Sequence, residues 1–365
     1  MAKTKPERLR LRVPLVKPLA LQNIKTYPLA KRHSKVNLRE FAGPWKPGGT
    51  LSTFLDGLPD ILAARTLREV VDAIAKARLA GKAMVIGMGA HPTKVGLNPV
   101  LVDLMERGIV TALALNGSVI IHDFELALMG HTSEEVDTEI DSGRFGMAEE
   151  TGRLINQAIN RGVRKGMGIG EAVGTWIEEQ RLPHRKTSLL AAGARLGLPV
   201  TVHVAVGTDI IHMHPAVDGA ATGEGSLRDF RTFAAVVAGL EGGVYLNLGS
   251  TVIMPEVFLK ALTLARNLGH TVKRITTVNM DFLPHYRPLT NVVRRPTQQG
   301  GKGHSLIGHH EIMVPLLAAA VLERLLERRS PAPAASSAAK SRLSGVRSGS
   351  RLRKPQAPQA RRRSL

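Results

Sequence analysis

The sequence has no cysteine, few aromatic residues and no long apolar run. Without cysteine there can be no disulfides and no thiolate metal sites, which fits a reducing compartment. Aromatics make up only 4% of the chain, so a core must be built from Leu, Val, Ile, Ala and Met, and a 43% hydrophobic content is ample for that. No stretch approaches the roughly 20 apolar residues of a membrane-spanning helix, and the N-terminus lacks the apolar segment of a secretory signal. A cytoplasmic protein with no membrane partner is therefore expected. The GxGxxG spacing of the common dinucleotide fingerprint is also missing.

What is abundant is positive charge, a formal +20. It is concentrated at the ends. Residues 1–35 carry ten Lys/Arg against Glu7, and residues 331–365 carry nine with no acid, leaving only +2 for the remainder. Residues 1–50, punctuated by Pro and Gly, read as a basic arm. Residues 331–365, rich in Pro, Ser and Ala, read as a disordered tail that cannot bury enough apolar surface to fold alone. Such ends bind polyanions weakly and without specificity, in a salt-dependent way. No nucleic-acid recognition motif accompanies them.

Between the ends, helix and strand patterns alternate. A helix is predicted over Thr66–Ala80, closed by Gly81. Ala83–Gly87 is a continuous apolar run, the mark of a strand buried on both faces. A loop over Met88–Leu97, a helix from Asn98 to Gly108 and a second strand, Val110–Asn116, complete a βαβ unit. Helices are predicted over Glu149–Lys165, Gly170–Gln180 and Ser188–Arg195, a helical insertion at 149–197. Then come a strand at Leu198–Gly207, a helix at Leu227–Leu240, a strand at Gly243–Leu248, a helix at Pro255–Asn267, a strand at Ile275–Met280 and a last helix at Glu311–Arg328. The alternation predicts one α/β domain over 51–330, a doubly wound parallel sheet of Rossmann-like type.

In such sheets ligands sit outside the carboxyl ends of the strands. The segments following each predicted strand are polar and rich in Gly, as backbone approach to phosphate requires. They are Gly87–Gly96, Asn116–Glu125, Gly207–Asp229, Gly249-Ser250-Thr251 and Asp281–Arg287. Gly225-Ser226, read as opening the Leu227 helix, has the form of a phosphate-binding helix start.

These segments resemble the deoxyhypusine synthase family. Gly87–Gly96 with its helix, and Ala114-Leu115-Asn116-Gly117 with Asp123 and Glu125, are similar to the family's first nucleotide-binding half. Glu224-Gly225-Ser226-Leu227-Arg228-Asp229 resembles its Asp-Gly-Ser-Leu-Gly-Asp, and Ile312-Met313-Val314-Pro315-Leu316-Leu317 its C-terminal helix. The likeness spans about residues 65–325. It implies an NAD-binding fold, a homo-oligomer, and an NAD-dependent transferase or dehydrogenase acting on an amine, whereas the charges of Arg294 and Arg295 favour a small anionic substrate. The family passes an aminobutyl group through an active-site lysine. An ungapped match places that lysine on Pro296, in Arg294-Arg295-Pro296, so authentic deoxyhypusine synthesis is not expected unless a shifted loop brings in Lys302.

The candidate cofactor residues are Gly89, Thr93, Asn116, Gly117, Gly225, Ser226 and Asp229. His122, Asp123, Glu125, His212 and His214 are the polar groups placed around a reacting centre, because His and carboxylates move protons near neutral pH. Two alternatives stand beside this reading. His203, His212 and His214 could serve a metal-dependent hydrolase, or the chain could be a non-catalytic nucleotide-binding regulator.

Overall fold

The computed structural model describes residues 16–329. The predicted tail, 331–365, and the first 15 residues of the predicted arm lie outside them. Helices α1 (Leu51–Gly57) and α2 (Leu62–Leu79) lead into β1 (Met84–Met88). The short α3 (His91–Lys94), α4 (Asn98–Glu106), β2 (Ala112–Asn116) and α5 (Gly117–Met129) follow. A helical block comes next: α6 (Val136–Glu139), α7 (Glu149–Arg164), α8 (Ile169–Glu179) and α9 (Leu189–Leu196). Then come β3 (Val200–His203), α10 (Gly219–Ala238), β4 (Val244–Leu248), α11 (Ile253–Asn267), β5 (Thr276–Asp281), α12 (Tyr286–Pro288), β6 (Lys302–Ile307) and α13 (His310–Arg329).

The six strands form one sheet in the order β3-β2-β1-β4-β5-β6, and every pairing is parallel. This is the doubly wound, Rossmann-like arrangement expected from the sequence. The order reverses between β1 and β4, which opens a crevice at the carboxyl ends of those strands.

Strand periodicity explains the two layers. Successive residues of β1 point to opposite faces, so Met84, Ile86 and Met88 join the core under α2, α4, α5 and α13. Val85 joins the core under α10 and α11 with Tyr245 and Phe258. The rings of Tyr245 and Phe258 stack at 3.8 Å between centroids.

Three elements differ from expectation. Asn116–Glu125, predicted as a loop, is mostly helix, because β2 runs straight into α5. Val119, Ile120, Ile121, Phe124 and Ala127 bury one side of that helix. The helix predicted from Leu227 begins eight residues earlier, at Gly219, where the Asp218 carboxylate accepts the N–H groups of Ala220 and Ala221. β6 was not predicted. It is an edge strand on which only Leu306 is buried, so it has no continuous apolar run to announce it.

β6 also fixes where Lys302 lies. Lys302 pairs with Thr276 at the start of β5, whereas Ile307 pairs with Asp281 at its end. Lys302 is therefore roughly 17 Å from the carboxyl edge, at about 3.3 Å per residue. Pro296 belongs to the same far edge, where its carbonyl accepts from Arg266 Nη2 at 2.9 Å.

Candidate functional site

A cavity of about 750 Å³ opens at the carboxyl ends of β1, β2 and β3. Each strand contributes through the segment that follows it: Lys94 from α3; Ser118, Ile121, His122 and Glu125 from α5; and Thr208, Asp209 and Ile210 after β3. The segment from His131 to Leu154 forms the outer wall, with Thr132, Glu134, Glu150 and Thr151 beside the apolar Val136, Phe145 and Leu154. Helical spacing accounts for the pair from α5, since residues three apart share a face. His122 and Glu125 both face the cavity.

They are joined through a third residue. The Thr132 hydroxyl donates to Glu125 Oε2 at 2.5 Å and lies 2.8 Å from His122 Nδ1. A hydroxyl has one proton. With that proton directed at Glu125, Nδ1 must carry the imidazole proton and donate to Thr132, which leaves Nε2 as the acceptor. Thr151 donates to the other oxygen of Glu125 at 2.8 Å. Burial pulls the His122 pKa below its ordinary value, with Glu125 opposing and nearby Lys94 assisting. The ring is thus a neutral base at pH 7. Ser133, next to Thr132, holds φ of +75°, a strained conformation for a residue with a Cβ.

Asp209 lies against the N-terminus of α5. Its Oδ2 is buried without a hydrogen-bond partner among the described residues. Burial pushes its pKa up to about 6, partly offset by the Thr208 hydroxyl. The carboxylate occupies the space a side chain at position 117 would need, so Gly117 is there for close approach. Asn116 Oδ1 accepts from Ser118 at 3.0 Å. Four carboxylates (Glu125, Glu134, Glu150, Asp209) face one lysine, Lys94, on the cavity wall. That balance favours a cationic ligand group over an anionic one.

The other expected site residues sit elsewhere. Asp123, one residue from His122, turns into the core and is fully buried. It accepts from Asn98 Nδ2, the Ser188 hydroxyl and the N–H groups of Leu189 and Leu190. It caps α9 and does not face the cavity. Burial raises its pKa to about 6.

Gly225, Ser226 and Asp229, expected at a cofactor phosphate, pack instead against neighbouring elements. They lie inside α10 and offer no free helix-start N–H to a phosphate. A Cβ at Gly225 would lie 2.8 Å from Val163 and 2.9 Å from Ile169. Ser226 donates to the Val202 carbonyl, and buried Asp229 accepts from Gly170 and Val202. All three seam α10 to β3 and α8.

The histidines after β3 are close in sequence and scattered in space. His203 is buried against Phe233, with its Nε2 3.0 Å from Thr201, and burial lowers its pKa to about 3. His212 Nδ1 accepts from Gly207 N–H at 3.2 Å, while its Nε2 is buried without a partner. His214 accepts from Ala216 N–H at Nδ1 and donates to Glu149 at 3.1 Å through Nε2. None of the three lines the cavity. Among the described residues no group of three or more His, Asp or Glu is arranged to hold a metal ion.

Thr132 was not legible as a site residue, because it follows the Gly130 turn that ends α5. Gly89 lies at the crevice between β1 and β4, and Thr93 is buried in the short α3. A Cβ at Gly89 would come 2.5 Å from the Gly249 carbonyl, and Thr93 Oγ1 is buried without a partner among the described residues. A glycine-rich phosphate turn does not follow β1; the four-residue α3 takes its place. Among the described residues no helix is long and apolar enough to cross a membrane.

No family model matches the chain, and no curated protein matches it. Solved structures do. One, described as a LOR/SDH protein from Methanococcus maripaludis S2, shares 14% identity at a TM-score of 0.49, covering 73% of this chain and 71% of that one. AgrE, solved as a ternary complex with ornithine and NAD+, shares 17% at 0.48, over 73% of this chain but only 34% of AgrE. A third, described as a deoxyhypusine synthase from Entamoeba histolytica, shares 10% at 0.43, over 77% of this chain and 96% of that one. The strand order and register of this chain define its fold, and these likenesses assign it no activity.

Proposed function

We propose that this protein is an NAD-dependent enzyme that oxidises a small amine held in the cavity, with His122 as the base. The observation that carries the reading is the His122–Thr132–Glu125 chain on the cavity wall. It holds the imidazole in the tautomer whose Nε2 can take a proton. The carboxylates of Glu125, Glu134, Glu150 and Asp209 would hold the ammonium form of the substrate as it enters. His122 Nε2 would then remove the proton from nitrogen, and the charge formed on the imidazole would be stabilised through Thr132 by Glu125. The apolar wall of Ile121, Leu128, Val136 and Leu154 would exclude water. NAD, when bound, would supply the hydride acceptor.

The strand crossover between β1 and β4, with Gly89 beside it, supports a dinucleotide at the neighbouring crevice. Aminobutyl transfer is not part of this reading, because Pro296 and Lys302 lie at the opposite edge of the sheet. The test is a screen for reduction of NAD, by its near-ultraviolet absorbance, with primary amines, diamines and basic amino acids set against hydroxy acids. Reduction with an amine is expected. Reduction with hydroxy acids alone would reassign the substrate, and none with any compound would remove the oxidoreductase reading.

A further inference from the structure

At the crossover of the sheet, four rings gather where the segments after β1, β5 and β6 meet. Phe282, just beyond β5, is 42% exposed. The His309 ring runs parallel to it, 2° between planes and 6.1 Å between centroids. His91, at the start of α3, lies 5.8 Å from Phe282 and 5.2 Å from His310. His310 is fully buried beneath them and packs on Gly249, whose φ of +61° and missing Cβ make room for the ring. The cluster is built around a floor. His310 Nε2 donates to the Met280 carbonyl at 3.2 Å, so Nδ1 is an acceptor, and it is buried with no partner among the described residues.

An exposed aromatic face flanked by imidazoles suits a planar heteroaromatic ring. A carboxamide on that ring would bring the N–H donor that the acceptor beneath lacks. Position selects which end of a dinucleotide belongs here. His91 and Lys94 are three residues apart on α3, about 4.5 Å of helix rise. His91 belongs to the ring cluster and Lys94 to the cavity wall. A ring in the cluster is therefore next to the cavity that holds His122.

Resting on the NAD reading above, we infer that the Phe282, His91 and His309 cluster, floored by His310, binds the nicotinamide end of the dinucleotide.

The test is calorimetric titration of NAD and of ADP-ribose, which lacks nicotinamide, into the full chain and its Phe282→Ala, Phe282→Tyr and His309→Ala variants. Saturation-transfer NMR would report which ring of NAD is contacted. Phe282 and His309 are both exposed, so the variants should fold. Phe282→Ala is expected to weaken NAD about ten-fold or more, as loss of a stacking partner does, and to leave ADP-ribose unchanged. Phe282→Tyr should keep the wild-type affinity, and His309→Ala should weaken NAD in the same sense as Phe282→Ala. Nicotinamide protons should receive the stronger saturation in the wild type and lose it in Phe282→Ala. An equal loss for ADP-ribose would place adenine in the cluster and overturn the inference. Unchanged NAD affinity in Phe282→Ala would overturn it while leaving the NAD reading standing. Absence of any NAD binding by the wild type would remove both.

Discussion

Asp229 provides the sharpest test of whether a carboxylate resembling a cofactor ligand in sequence is a structural anchor instead. It is 3% exposed, and its Oδ2 accepts from Gly170 N–H at 3.0 Å and Val202 N–H at 2.8 Å. Burial pushes its pKa from 3.8 to about 7 against the pull of those bonds. An acid whose folded value exceeds its unfolded value binds its proton more tightly in the native state. The stability it contributes is present below about pH 4 and lost as pH rises to about 7. At about 1.4 kcal/mol per unit, the loss is about 4 kcal/mol.

Asp229→Asn removes the ionisation and can keep one oxygen at the Oδ2 position to accept both N–H groups. Relative to wild type, the variant should therefore gain about 4 kcal/mol between acidic and mildly alkaline pH. Asp229→Ala leaves two buried N–H groups unpaired and should cost about 2–6 kcal/mol. Urea unfolding followed by circular dichroism at both ends of that range reads these differences. A wild-type-minus-Asn difference that does not change with pH would refute the reasoning. Loss of NAD binding in a folded, stable Asp229→Asn protein would return the residue to the cofactor site.

Three further outcomes follow from placement. Gly117→Ala drives a methyl into the Asp209 carboxylate and should cost about 1–3 kcal/mol of stability; adding Asp209→Ala should recover part of the loss, read as a non-additive shift in melting temperature. Lys302→Ala should leave turnover unchanged, because the residue sits at the amino edge of the sheet, and a dead variant would mean the strand placement is wrong. Deleting residues 331–365 removes nine Lys/Arg and should lower retention on heparin or RNA at low salt; undiminished retention would put polyanion binding on the body of the protein.

The layered fold was legible because its interior strands are apolar on both faces. Residues 84–88, 112–116 and 244–248 could be read directly from composition. β6 could not, since an edge strand needs only one buried residue, and its Lys-Gly-His-Ser stretch has the composition of a loop. At the site, His122 and Glu125 were visible as chemistry before their geometry was known. Reading 116–125 as a loop put Asp123 with them, whereas adjacent residues on a helix diverge by about 100°. Gly225 reads as a phosphate-binding helix start because the apolar pattern of the helix begins only at Leu227 and glycine lets backbone approach a phosphate. It stands mid-helix here because Val163 and Ile169 leave no room for a side chain. Thr132 reaches His122 only after the chain turns at Gly130, and no spacing rule in the sequence anticipates that contact.

His122 is the base on which the proposed amine oxidation depends. The direct measurement is kcat/KM against pH for amine-dependent NAD reduction by the wild type, Thr132→Val and His122→Gln, with NAD affinity and melting temperature measured alongside. Because burial lowers the His122 pKa, the wild-type rate should fall only below the ordinary imidazole range. His122→Gln should lose about 10²–10⁴-fold in rate, the range for a general base, with NAD affinity and melting temperature nearly unchanged. Thr132→Val, which frees the tautomer, should lose less and shift the acid limb. Wild-type activity in a folded His122→Gln protein would contradict the account.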